Sequence, residues 1–107
     1  MPPNSELILT VKTTIMMTSA EYIVVYEDNF KRELKKLSDK YQKMVLKKLK
    51  ILESNPYYPS LRTKKMEGSA GYYESSINMD IRILWYFKGN RIIVLTDIGH
   101  HDVLRKY

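Results

Sequence analysis

Two adjacent histidines, His100 and His101, stand near the C-terminus between Gly99 and Asp102. Upstream lie Glu74, Arg82, Tyr72 and Tyr86, and before them the pair Lys64 and Lys65. Imidazole is the side chain whose ordinary pKa lets it give or take a proton near neutrality. Arginine and lysine hold phosphate groups, and tyrosine stacks on a nucleobase or acts as an acid. Together these groups meet the needs of phosphodiester cleavage. That reaction requires a base for the 2′-hydroxyl proton, an acid for the leaving oxygen and cations for the phosphorane.

Each residue also has a plainer reading. The histidine pair can be a polar strand end, Arg82 can pair with Glu74 across a hairpin, and Tyr86 can cover apolar surface. The run His100-His101-Asp102 is a poor metal site, because consecutive side chains do not easily converge on one ion. With no cysteine in the chain, thiolate ligands and a thiol nucleophile are excluded. No metal or other cofactor is expected.

The elements that must position these groups follow from periodicity. Residues 21–26, EYIVVY, are β-branched and aromatic and predict a strand. Phe30, Leu34 and Leu37 share one face of a helix, and Ser38-Asp39 interrupts it and can cap the next. The second helix carries Tyr41, Val45, Leu49 and Leu52 in one stripe, with Lys48 inside the apolar arc and forced to snorkel. Asn55-Pro56 ends it near Ser54. Four strands are then expected at Leu61–Glu67, Tyr72–Asn78, Ile81–Phe87 and Arg91–Ile98, separated by turn signals such as Gly68 to Gly71 and Gly89-Asn90. Ile92–Leu95 is apolar on both faces, as a central strand would be.

The order β-α-α-β-β-β predicts an α+β fold, a helical hairpin packed on one face of a small antiparallel sheet. Alternation turns Ile81, Ile83, Trp85 and Phe87 toward the helices, with Tyr73 and Ile77 beside them. Arg82, Leu84, Tyr86, Tyr72, Glu74 and Ser76 then point to the opposite, open face.

At 107 residues there is room for one domain. Nine of the twelve aromatic residues are tyrosine, which can finish a small core while keeping a polar tip. Lys and Arg outnumber Asp and Glu by 18 to 12, and residues 31–65 hold twelve basic residues against Glu33, Asp39 and Glu53. Such a segment attracts polyanions, so Lys47 and Lys50 join Lys64 and Lys65 as candidate contacts to an RNA backbone. A solvated lysine-rich helix face explains the same charge without a partner.

No segment approaches the roughly 20 apolar residues of a membrane span, and no membrane partner is expected. The N-terminus lacks the basic start of a signal peptide. Residues 1–18 read as an extension before a domain of residues 19–107, and the absence of cysteine fits a reducing, cytoplasmic setting.

Over about residues 20–107 the chain resembles the RelE/ParE superfamily of bacterial toxin–antitoxin toxins. The resemblance is carried by EYIVVYEDNFKRELKKL, KKMEGSAGYYESSINMDIRILWYF and IIVLTDIGHHDVL. It implies a helical hairpin on a small sheet, a cognate antitoxin as partner, and cleavage of mRNA on the ribosome. By position it makes Arg82 the phosphate clamp and His100 or His101 the general acid or base. The histidine–aspartate adjacency favours His101, whereas a His-x-Asp spacing favours His100. There are departures from the pattern. Ser76 stands where a functional side chain is usual, the loop Asn78 to Asp80 looks one residue longer, and Leu104 replaces the tail tyrosine, with Tyr107 close behind. Ser76 also supports an alternative, a ParE-like protein that inhibits DNA gyrase by protein contact. A third reading is a basic nucleic-acid-binding module without chemistry.

Overall fold

The computed structural model describes residues 22–68, 70–102 and 104. The expected extension of residues 1–18 lies outside these, as does Tyr107.

Ile23, Val24 and Val25 form β1 (Ile23–Tyr26), followed by α1 (Asp28–Lys35) and α2 (Asp39–Ser54). The break between the helices has the expected cause: the Ser38 hydroxyl accepts from the Tyr41 backbone N–H at 3.2 Å and caps α2, a contribution of about 1 kcal/mol. Pro56 stops α2 after an extended Asn55. Lys48 does snorkel, its ammonium reaching the Ser60 carbonyl at 3.4 Å.

The next segment departs from expectation. Leu61 ends a short 3-10 turn (Pro59–Leu61) in place of starting a strand, and Arg62 then takes a left-handed φ of 49°. Leu61 is thereby driven into the core, and only Lys64–Lys65 remain to form β2. The strands β3 (Tyr72–Ser76), β4 (Ile81–Lys88) and β5 (Ile92–His100) lie close to the expected positions, with β5 running on to His100.

The sheet order is β1-β5-β4-β3-β2, so β5 is internal, as its two apolar faces require. Pairing is antiparallel from β2 through β5, but β1 runs parallel to β5. The sheet is therefore mixed. The helix pair returns the chain to the end of the sheet where β1 finished, so β2 runs opposite to β1. Three hairpin reversals then restore the direction of β1 in β5.

The core fills one face of this sheet. Ile81, Ile83 and Trp85 of β4 and Ile93, Leu95 and Ile98 of β5 pack with Phe30, Val45, Leu49 and Leu52 of the helices. Each such side chain contributes about 1.5–3 kcal/mol on burial. Tyr73 stacks on Trp85 at 4.8 Å, and Phe87 meets both rings edge-on. The register between β4 and β5 slips between Leu84 and Trp85, leaving Thr96 as an extra residue on β5. Asn29 of α1 donates to the Thr96 carbonyl at 3.0 Å and ties the helix to this bulge.

A polar relay crosses the buried region. The Trp85 indole N–H donates to the Ser75 hydroxyl at 2.9 Å. Ser75 lies 2.6 Å from the Thr63 hydroxyl, which itself reaches the Pro56 carbonyl at 2.6 Å. Because Thr63 spends its one proton on Pro56, Ser75 must donate to Thr63. Every member is thus satisfied, and the turn before β2 is fastened to the middle of the sheet. Replacing Ser75 by Ala strands the indole N–H. We expect a loss of about 1–3 kcal/mol, read as a lower urea midpoint at unchanged m; an unaltered midpoint would contradict the relay.

Candidate active site

The relay sets where Lys64 stands. In β2 Lys64 pairs with Glu74, and in β4 Leu84 lies on the other side of Glu74. Glu74 is on the face turned away from the helices, as alternation requires, yet it is only 5% exposed. A carboxylate that deeply placed needs partners, and among the described residues it has two: Lys64 Nζ lies 3.5 Å from Oε1 and His101 Nδ1 3.7 Å from Oε2. Lys64, Lys65, Met66, Glu67, Glu74, His101 and Leu104 line a cleft of about 390 Å³. The face is not wholly open, because the C-terminal turn returns Leu104 to it, and both Leu84 and Leu104 are buried.

The two histidines part company at the end of β5. His100 pairs with Ile81, and Ile83 pairs with Ile98. Residues paired across a sheet share a face, so His100 belongs to the helix side. His101 comes one residue later, its backbone N–H donating to the Asp80 carbonyl at 3.1 Å. It therefore turns to the Glu74 side, with its side chain about half exposed.

Arg82 is opposite Ser76, and Glu74 takes Lys64 and His101 as its neighbours in its place. The Arg82 Nη1 donates to the carbonyls of Asn78 at 2.7 Å and Met79 at 3.0 Å. The Asn78 side chain accepts from the N–H groups of Asp80 and Ile81, each at 2.8 Å. Arg82 and Asn78 thus staple the hairpin loop from which Asp80 holds His101. Arg82 is thus linked through the loop to the His101 backbone, a link that side-chain type alone did not reveal.

Tyr72 and Tyr86 sit opposite each other on the same face, ring centroids 5.6 Å apart and edge to face. The Tyr86 hydroxyl donates to Glu27 Oε2 at 3.5 Å. Burial, together with the nearby Glu27 carboxylate, raises the Tyr86 phenol above its ordinary value of 10.0, so it stays protonated at neutral pH. Lys65, paired with Tyr73, starts from the opposite face but still lines the cleft. Lys47 and Lys50 are exposed on α2, across the sheet from Glu74. The sequence-derived set thus splits: Lys64, Lys65, Glu74 and His101 share the cleft, Tyr72 and Tyr86 adjoin it, and His100, Lys47 and Lys50 lie elsewhere.

The absorbance difference between the parent and Tyr86→Phe during alkaline titration isolates that phenol. Its midpoint should lie above 10.0, and Glu27→Gln should move it down. Because the folded state holds this proton more tightly, its stabilising contribution is complete below the ordinary value and is lost as pH rises through the folded one. A midpoint unaffected by Glu27→Gln would contradict the contact.

No family model and no curated protein matches the sequence. Solved structures do. The chain is similar to the archaeal RelE–RelB complex from Pyrococcus horikoshii, with 19% identity over 75% of this chain and 94% of that one, at a TM-score of 0.64. For the RelBE2 toxin–antitoxin complex from Mycobacterium tuberculosis the values are 21%, 76%, 99% and 0.64. For the Escherichia coli DinJ–YafQ toxin–antitoxin complex they are 19%, 79%, 98% and 0.62. What the chain shares with these proteins is its architecture: a helical hairpin on a five-stranded sheet, the RelE-type toxin fold.

Proposed function

We propose that the protein is the toxin of a toxin–antitoxin pair and a metal-independent endoribonuclease that cuts mRNA on the ribosome; because its own side chains supply every reacting group, it cuts free messenger as well. The observation that carries this reading is the buried Glu74 held between Lys64 and His101 in one cleft. Three chemical roles are then supplied within a few ångströms. Glu74 takes the proton of the ribose 2′-hydroxyl as its oxygen bonds to phosphorus. His101 gives a proton to the 5′-oxygen as the P–O5′ bond breaks. Lys64 and Lys65 offset the charge on the phosphorane. The products are a 2′,3′-cyclic phosphate and a free 5′-hydroxyl, and no oxidant or metal enters the balance.

Arg82, whose Nη1 holds the hairpin loop, is assigned to the RNA phosphates through the guanidinium donors that the loop carbonyls do not use. Tyr86, with its raised phenol, is assigned to binding in place of proton transfer. Lys47 and Lys50, on the far side of the sheet, are placed to meet a second stretch of polyanion, such as ribosomal RNA, without reading its sequence. Among the described residues no helix is long and apolar enough to cross a membrane. Among the structures that resemble the chain are a RelE–RelB complex, a DinJ–YafQ toxin–antitoxin complex and the RelBE2 toxin–antitoxin complex, which supports a cognate antitoxin as inhibitor. The gyrase-directed alternative draws no support from them.

Cleavage of a messenger by the purified chain in EDTA should persist. Glu74→Gln and His101→Ala should each slow it by about 10²–10⁴-fold, and His100→Ala by less than about threefold. Circular dichroism would establish that each variant is folded. Equal effects at His100 and His101, or loss of the parent's activity on chelation, would overturn the assignment.

A further inference from the structure

The face that carries Glu74 continues past the cleft toward β1. Tyr72 lies two residues from Glu74 along β3, on the same face and about 7 Å away. Tyr86 stands beside it at 5.6 Å, and its hydroxyl reaches across β5 to Glu27, at the end of β1. All three side chains are half-buried, and none is used for bond making in the reaction above.

A carboxylate here does not suit an RNA backbone, because it repels phosphate. It does suit the edge of a base, since a carboxylate only accepts hydrogen bonds and has two oxygens to do so. Guanine is the base whose Watson–Crick edge presents two adjacent N–H donors, N1–H and the 2-amino group. Glu27 Oε2 is oriented by the Tyr86 hydroxyl, and Oε1 is not engaged by any described residue. The paired tyrosine rings provide the surface on which a single-stranded base stacks.

From this arrangement we infer that Glu27, Tyr86 and Tyr72 form a guanine subsite, which holds the nucleotide next to the one whose phosphate enters the Glu74–His101 cleft. The inference rests on the RNA reading above and gives it a base preference. Stacking supplies affinity for any base; Glu27 supplies discrimination, because the wrong edge leaves a half-buried carboxylate facing an acceptor.

The test is binding, measured apart from cleavage. Fluorescein-labelled UGU and UAU with 2′-fluoro sugars lack the attacking hydroxyl and are titrated with the full chain by anisotropy. The parent should bind UGU about tenfold more tightly than UAU, and inosine in place of guanine should remove much of that ratio. Glu27→Gln should bring the ratio close to one. Tyr72→Ala should weaken both oligonucleotides by a similar factor. Equal affinities in the parent, a ratio unchanged by inosine, or a ratio kept by a folded Glu27→Gln variant would each overturn the subsite. Cleavage of natural RNA by the same preparation separates the two ideas. Discrimination without cleavage retains the subsite and defeats the nuclease; cleavage without discrimination does the reverse.

Discussion

The cleft depends on one chain of hydrogen bonds, from the Trp85 indole through Ser75 and Thr63 to the Pro56 carbonyl. β2 is two residues long and has too few ladder bonds to hold its own place. The relay fastens the segment before it to Trp85, the largest buried side chain of β4, and so brings Lys64 into register with Glu74. A buried polar chain is worth having only when each member is satisfied, and here each donor has an acceptor. The same sheet position thus serves both sides: Ser75 organises the core face while its neighbour Glu74 organises the cleft.

The far wall of the cleft is positioned from the other direction. Arg82 and Asn78 hold the hairpin loop, and Asp80 in that loop holds the His101 backbone. The two walls therefore arrive by separate routes, one through the core and one through a turn, and meet at a carboxylate with 5% of its surface exposed. Net positive charge has a broader part. It gathers on α2 and around β2, on both sides of the sheet, where in the proposed function it attracts a polyanion, whereas the selective contacts are assigned to few residues.

Much of this was legible in the residues. Alternation in β4 separated Ile81, Ile83 and Trp85 from Arg82 and Tyr86, because a strand with one buried face leaves no freedom in its period. Ser38 and Asn55-Pro56 marked the helix ends through local hydrogen bonding and steric exclusion. The expected resemblance to RelE-type toxins agrees with the fold. What could not be read were features set by distant contacts. The parallel pairing of β1 with β5 depends on how the helix pair returns the chain. The bulge at Thr96 depends on the register between two strands and on Asn29. Leu61 was expected in a strand, but the left-handed Arg62 and the buried site for its side chain turned it inward. That Arg82 also holds the hairpin loop was not legible, because composition does not reveal which carbonyls a loop leaves exposed. The choice between His100 and His101 became a question of sheet face only once the end of β5 was known.

In the proposed reaction Glu74 and His101 act on a 2′-hydroxyl and a leaving 5′-oxygen. The most direct measurement is the chemistry of the ends left when the purified chain acts on a messenger RNA in EDTA, identified by mass spectrometry. Attack by the 2′-oxygen should leave 2′,3′-cyclic phosphate ends, which disappear with His101→Ala. Intact RNA, or fragments ending in a 3′-hydroxyl, would contradict it.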